Sequence, residues 1–84
     1  MKDITLYSTA ACPFCIRAKD LLEKKGATFN TIRVDTHPEY VDEMVKKSGG
    51  RTTVPQIFIN GGHIGGFDEL KALDDKGELD SLLA

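Results

Sequence analysis

The chain has 84 residues, 40% of them hydrophobic and 29% charged, with a formal net charge of −2. That length holds one domain, residues 1–84, with a compact core, and a near-neutral balance of interspersed charges argues against nucleic-acid binding as the main task. The apolar run at the N-terminus, Ile4 to Tyr7, is too short for a signal peptide or a membrane span. A soluble protein of the reducing cytoplasm, with no membrane partner, is therefore expected.

In chain order, Lys2–Tyr7 alternates polar and apolar residues and predicts a first strand. After the stretch Ala11-Cys12-Pro13-Phe14-Cys15, residues Cys15, Ala18, Leu21 and Leu22 recur at helical spacing up to Lys25. Gly26 suits the C-terminal cap of that helix and Pro13 its first position, where a missing N–H does no harm. A second strand spans about Thr28–Val34, with Phe29, Thr31 and Arg33 on one face and Asn30, Ile32 and Val34 on the other. Thr36-His37-Pro38-Glu39 has the pattern of a capping box. The helix it opens would turn Tyr40, Val41, Met44 and Val45 inward and stop at Gly49-Gly50. Gln56–Ile59 is a short apolar strand, Asn60-Gly61 a hairpin turn, and His63–Gly65 the returning strand. From Asp68 a third helix carries Leu70, Ala72 and Leu73 and breaks near Gly77, after which Leu79, Leu82 and Leu83 suggest a last turn or two. The order β-α-β-α-β-β-α predicts an α/β fold, a four-stranded mixed sheet flanked by three or more helices on both its faces.

The two cysteines, three positions apart, carry the chemistry. A bridge between Cys12 and Cys15 closes so small a loop that it removes little entropy from the unfolded chain, which makes a purely structural staple a poor explanation. Zinc is the main competing use of a C-x-x-C pair, but the two imidazoles, His37 and His63, are isolated from one another, and no metal site is expected. The predicted topology puts Cys12 at the start of the first helix, where unpaired backbone N–H groups and the helix dipole favour a thiolate. Cys12 is thus the expected nucleophile. Cys15, one turn further in and more buried, is the expected resolving thiol of a disulfide exchange.

Three motifs in order, Cys12-Pro13-Phe14-Cys15 after a strand, Thr53-Val54-Pro55 before a strand and Gly65-Gly66-Phe67-Asp68 before a helix, resemble those of a dithiol glutaredoxin over essentially the whole chain. The resemblance implies a thioredoxin-like fold and a glutathione-dependent thiol–disulfide oxidoreductase. In such a protein Pro55 is in cis, and the backbone of Val54 pairs with the cysteine of glutathione, beside Thr53. The γ-glutamyl end lies against Gly66, Phe67 and Asp68, a glycine-rich helix start that suits a carboxylate. Members of the family commonly carry a lysine three residues before the first cysteine, and here that position is Thr9. Arg51 is then the best remaining cation for the glycyl carboxylate, with Lys19 and Arg17 as weaker candidates. Phe14 stands where tyrosine is usual, and Phe67 where many relatives have a third cysteine.

The resemblance further implies a monomer that holds no tightly bound cofactor and uses glutathione as reductant and substrate. Its partners would be glutathionylated or disulfide-containing proteins, with ribonucleotide reductase one candidate by family analogy. The alternatives are a thioredoxin-like donor reduced by a flavoprotein and a glutathione-ligated [2Fe–2S] carrier. The Gly65–Asp68 segment argues against the first, and Pro13 together with a second cysteine against the other.

Overall fold

The computed structural model describes residues 3–83, so that Lys2, at the head of the predicted first strand, lies outside the described residues together with Met1 and Ala84. Its strands are β1 (Ile4–Ser8), β2 (Asn30–Arg33), β3 (Gln56–Ile59) and β4 (Gly62–Gly65), and its helices α1 (Pro13–Lys24), α2 (Val41–Lys47), α3 (Phe67–Asp75) and α4 (Glu78–Leu83). They form one sheet in the order β2-β1-β3-β4, with β1 and β2 parallel and the other two pairs antiparallel. This is the four-stranded mixed sheet that the order of elements implies.

Strand alternation divides the core between the two faces. Ile4 and Leu6 of β1 and Ile57 and Ile59 of β3 pack with Ala18 and Leu22 of α1, Leu70 of α3 and Leu79 of α4. Tyr7, Phe58, Val34 and Met44 of α2 make the opposite cluster, where the Tyr7 hydroxyl donates to Glu43 Oε2 at 2.7 Å. Fully burying a Leu, Ile or Met side chain contributes about 1.5–3 kcal/mol, so these two clusters supply most of the drive to fold. The β3–β4 turn uses Asn60 and Gly61, both at positive φ (52° and 81°), the pair of conformations that a two-residue hairpin of this hand requires.

Two local expectations fail. Thr36-His37-Pro38-Glu39 forms no capping box: Pro38–Tyr40 is a single 3₁₀ turn, and its N-cap His37 makes no side-chain capping bond. Asp35 Oδ1 takes the Thr36 N–H instead, and the Thr36 hydroxyl turns back to the Arg33 carbonyl. Because Tyr40 belongs to that tighter turn, it is out of phase with the inner stripe of α2 and is 39% exposed. The second departure is at α3, which begins at Phe67 with Gly66 as its N-cap. Asp68, where the sequence pattern opens this helix, therefore occupies its second position. The second strand is also shorter than its sequence pattern, although the Val34 N–H still donates to the Ser8 carbonyl at 3.0 Å.

Candidate active site

Cys12 is the N-cap of α1, in extended backbone, with Pro13 in the first helical turn. Its sulfur accepts the Cys15 N–H at 3.1 Å, so a thiol does what a serine or aspartate oxygen does in an ordinary cap. The same sulfur lies 3.7 Å from the Val54 carbonyl oxygen, to which the thiol donates. Cys15 is 1% exposed, and burial, together with the neighbouring Cys12, pushes its thiol up to about 12. Thus the Cys12 sulfur caps the helix start beside Val54, while Cys15 is the more deeply buried of the two and its thiol stays protonated.

The loop that delivers Cys12 is tied to β2. Arg33 grips Asp35 with two bonds of 2.8 Å, and Asp35 Oδ2 accepts the Ala10 N–H at 3.1 Å. The Arg33 guanidinium and the Ala10 N–H hold the Asp35 carboxyl well below the usual carboxylate range. Nothing in the motif around the cysteines points to this clamp, since Asp35 follows a strand some twenty residues away and becomes relevant only when β1 and β2 pair.

Across from Cys12, the Val54–Pro55 peptide bond is cis. The preceding Thr53 is held from inside by Gln56, which is fully buried: its Nε2 donates to the Thr53 carbonyl at 2.9 Å and to the Thr53 hydroxyl at 3.3 Å. With that amide orientation Gln56 Oε1 is the acceptor for His63 Nε2, at 2.8 Å.

A shallow cleft of about 140 Å³ runs from this segment to the start of α3. It brings together Phe14, Arg51, Thr53, Val54, Pro55, Gly66, Phe67 and Asp68, and also Glu69, which the sequence reading missed. Phe14, half exposed, tilts towards Phe67 with ring centroids 6.2 Å apart and carries the Arg17 guanidinium over its face at 5.3 Å. Pro13 is exposed at the helix start and is not part of the cleft lining. Glu69 Oε1 pairs with Arg51 Nη1 and also accepts the Gly66 N–H at 3.2 Å. Arg51 draws the Glu69 carboxyl below its ordinary range. Its backbone is fixed in turn by Ser48, whose hydroxyl accepts the Arg51 N–H and donates to the Arg51 carbonyl. Arg51 therefore stands on the α3 side of the cleft, next to Gly66. The sequence signal for Glu69 was its place three residues after the N-cap, the half of a capping box that reaches backwards. Glycine carries no side chain, so only this half exists at α3.

Among the described residues, no three His, Cys, Asp or Glu side chains gather into a metal-binding group, and no helix is long and apolar enough to cross a membrane.

Comparison with known proteins agrees with this architecture. The glutaredoxin family profile matches residues 4–64. The chain is 50% identical to a glutaredoxin of Pseudomonas aeruginosa over 84 residues, covering 100% of this chain and 99% of that one. It is 51% identical to glutaredoxin 3 of Escherichia coli over 83 residues, 99% of each chain. Among solved structures, the buckwheat glutaredoxin–glutathione complex superposes with a TM-score of 0.89 at 30% identity, covering 98% of this chain and 76% of that one. The solution structure of a Brucella melitensis glutaredoxin gives 0.83 at 53% identity, over 96% and 87%. With a cysteine-capped helix facing a cis-proline segment, and relatives that span its whole length, the chain belongs to the glutaredoxin family of thiol–disulfide oxidoreductases.

Proposed function

We propose that this protein reduces protein–glutathione mixed disulfides and protein disulfides with glutathione as reductant, through Cys12 as nucleophile and Cys15 as resolving thiol. The placement of the Cys12 sulfur carries this reading: it accepts a helix-start N–H and lies 3.7 Å from the Val54 carbonyl, at the edge of a cleft lined by the Thr53–Pro55 and Gly66–Asp68 segments. A sulfur so placed meets an outside disulfide along the cleft, while Cys15 is held protonated below until it is needed.

In the first step the Cys12 thiolate attacks the glutathione sulfur of a mixed disulfide. The protein thiolate leaves and takes up a proton, and Cys12 becomes glutathionylated. A second glutathione thiolate attacks the bound glutathione sulfur, regenerating Cys12 and forming oxidised glutathione. With a protein disulfide, Cys12 forms a mixed disulfide with the substrate, Cys15 displaces it, and two glutathiones then reduce the internal bond.

The backbone of Val54, next to Pro55, offers the extended edge that the ligand's cysteine would pair with, as in strand addition. Thr53 is rigid beneath it because Gln56 holds it. The N–H groups of Phe67 and Asp68 have no acceptor within their own helix and suit the γ-glutamyl carboxylate, with the Asp68 side chain for the ammonium. Gly66 leaves room for that approach. Arg51, shared with Glu69, supplies positive charge for a ligand carboxylate. Phe14 and Phe67 form the apolar side of the cleft. The protein acts as a monomer in the cytoplasm, and glutathione is bound in passing rather than as a resident cofactor. Disulfide-containing enzymes such as a ribonucleotide reductase fall within the substrate class.

The test is a coupled assay with a glutathionylated peptide and a disulfide-bonded peptide. Cys12→Ser should be inactive on both. Cys15→Ser should keep turnover on the first and lose it on the second. An active Cys12→Ser variant would sink the mechanism.

A further inference from the structure

Strand alternation puts Ile4, Leu6 and Ser8 of β1 on one face, the face that α1 covers. Ile4 and Leu6 meet Ala18 and Leu22, while the inner stripe of α1 starts one turn earlier, at Cys15. Ser8 is thus the sheet residue under the head of the helix, opposite the second cysteine. It is fully buried, and its carbonyl is satisfied by the Val34 N–H. Its hydroxyl is not: Ser8 Oγ is the one buried side-chain oxygen or nitrogen without a hydrogen-bond partner among the described residues.

A buried hydroxyl with no partner destabilises the fold, and alanine would fill the same space without that cost. A neutral thiol is only a weak acceptor for such a hydroxyl. A thiolate is a strong one. The Ser8 hydroxyl and the Thr9 backbone N–H are the two groups that favour the charged form of Cys15, against its burial and the nearby Cys12.

We propose that Ser8 is a positioning residue for Cys15, its hydroxyl donating a hydrogen bond to the Cys15 sulfur as that sulfur takes up negative charge. The inference rests on the reading of Cys15 as the resolving thiol. In that step the Cys15 thiol gives up its proton, and its electron pair forms the bond to Cys12 Sγ. The bond from Cys12 to the substrate sulfur breaks, and the departing sulfur carries away the electron pair and takes a proton. The two cysteines are oxidised and the substrate is reduced, while Ser8 keeps its proton throughout. When glutathione attacks Cys12 Sγ in the internal disulfide, Cys15 is the leaving group, and the same donor serves it. The route through Cys12 alone never charges Cys15 and has no use for Ser8.

That difference makes the test. Ser8→Ala should slow reduction of a disulfide-bonded peptide by about tenfold, the rate equivalent of one hydrogen bond to a charged group. It should leave reduction of a glutathionylated peptide unchanged and the melting temperature no lower than the parent's. Ser8→Thr should restore the lost rate. In a Cys15→Ser background, Ser8→Ala should change nothing, because the partner is gone. Equal slowing on both peptides, no slowing on either, or an effect that survives in the Cys15→Ser background would overturn the proposal. If Cys15→Ser by itself keeps full activity on the disulfide peptide, the resolving role fails and takes Ser8 with it. If Cys15→Ser loses that activity while Ser8→Ala keeps it, only the role of Ser8 falls.

Discussion

Two helix N-termini border the active-site cleft, and they are capped in opposite senses. At α1 the N-cap side chain reaches forward: the Cys12 sulfur accepts the Cys15 N–H three residues on. At α3 the N-cap is Gly66, and the residue three positions on reaches back, with Glu69 Oε1 on the Gly66 N–H. A full capping box would use both bonds at each helix. Here each helix keeps one half. At α1 the group that closes the helix is the group that can carry negative charge and react. At α3 the charge that closes the helix is that of Glu69 in the first turn, which reaches back to the Gly66 N–H and pairs with Arg51, so that the N–H groups of Phe67 and Asp68 stay available to an incoming anion. The lesson is that one piece of helix physics can hold a nucleophile or keep a place for a ligand, depending on which end of the box supplies the cap.

The largest effect should come from taking the reactive sulfur out of the α1 cap. Cys12→Ser places a favoured capping oxygen where the sulfur stood, so thermal melting should show no loss of stability. Turnover should nevertheless fall by more than about a thousandfold, since the nucleophile is gone. A parallel loss of stability and activity would mean that the sulfur matters as a cap first.

At α3 the corresponding break is Gly65→Ala. Gly65 has φ +121°, and a Cβ there would come within 2.5 Å of Glu69 Oε1, so the substitution both strains the backbone and displaces the cap. A loss of about 1–3 kcal/mol in urea unfolding is expected, with a raised KM for glutathione. Gly65→Ala with unaltered KM would separate the Glu69 cap from ligand binding.

Glu69→Gln tests the charge itself. The carboxyl is drawn below its ordinary value of 4.5, chiefly by Arg51. A group depressed in the folded state contributes stability that is complete above its unfolded value and is lost as pH falls through the folded one. Acid unfolding of the parent should therefore include a contribution setting in below pH 4.5 that Glu69→Gln lacks. The α1 cap, which has no carboxylate, should add nothing to that window. The smallest change is Thr9→Lys, which offers a cation on the α1 side of the cleft. An exposed charge contact is worth about 0.2–1 kcal/mol, so glutathione KM should fall by no more than about fivefold, less at high salt.

Elements whose identity rests on local pattern were legible in the chain. Gln56–Ile59 and its Asn60-Gly61 turn stand where the sequence puts them, because a four-residue apolar run and a turn that needs two positive φ values leave little choice. The helix start at Pro13 is equally local. The opening of the second helix was misread because Asp35, engaged by Arg33 and by the Ala10 N–H of another loop, competes for the Thr36 N–H that a capping box would have used. The tie from Glu69 to Arg51 spans eighteen positions and has no short-range signature.

By itself, then, the sequence determined the order of elements, the pairing of two cysteines at a helix head and the three motifs that carry the family likeness, since each depends on neighbours within a few residues. Only the tertiary structure decided which contacts surround them. Pairing β1 with β2 brings Asp35 under the cysteine loop, and packing α1 on β1 buries Cys15 above the unpartnered hydroxyl of Ser8. Pairing β1 with β3 and folding α3 beside it close the cleft around Val54 and Gly66. Those are contacts between distant segments, made when apolar faces are removed from water, and no local pattern encodes their geometry.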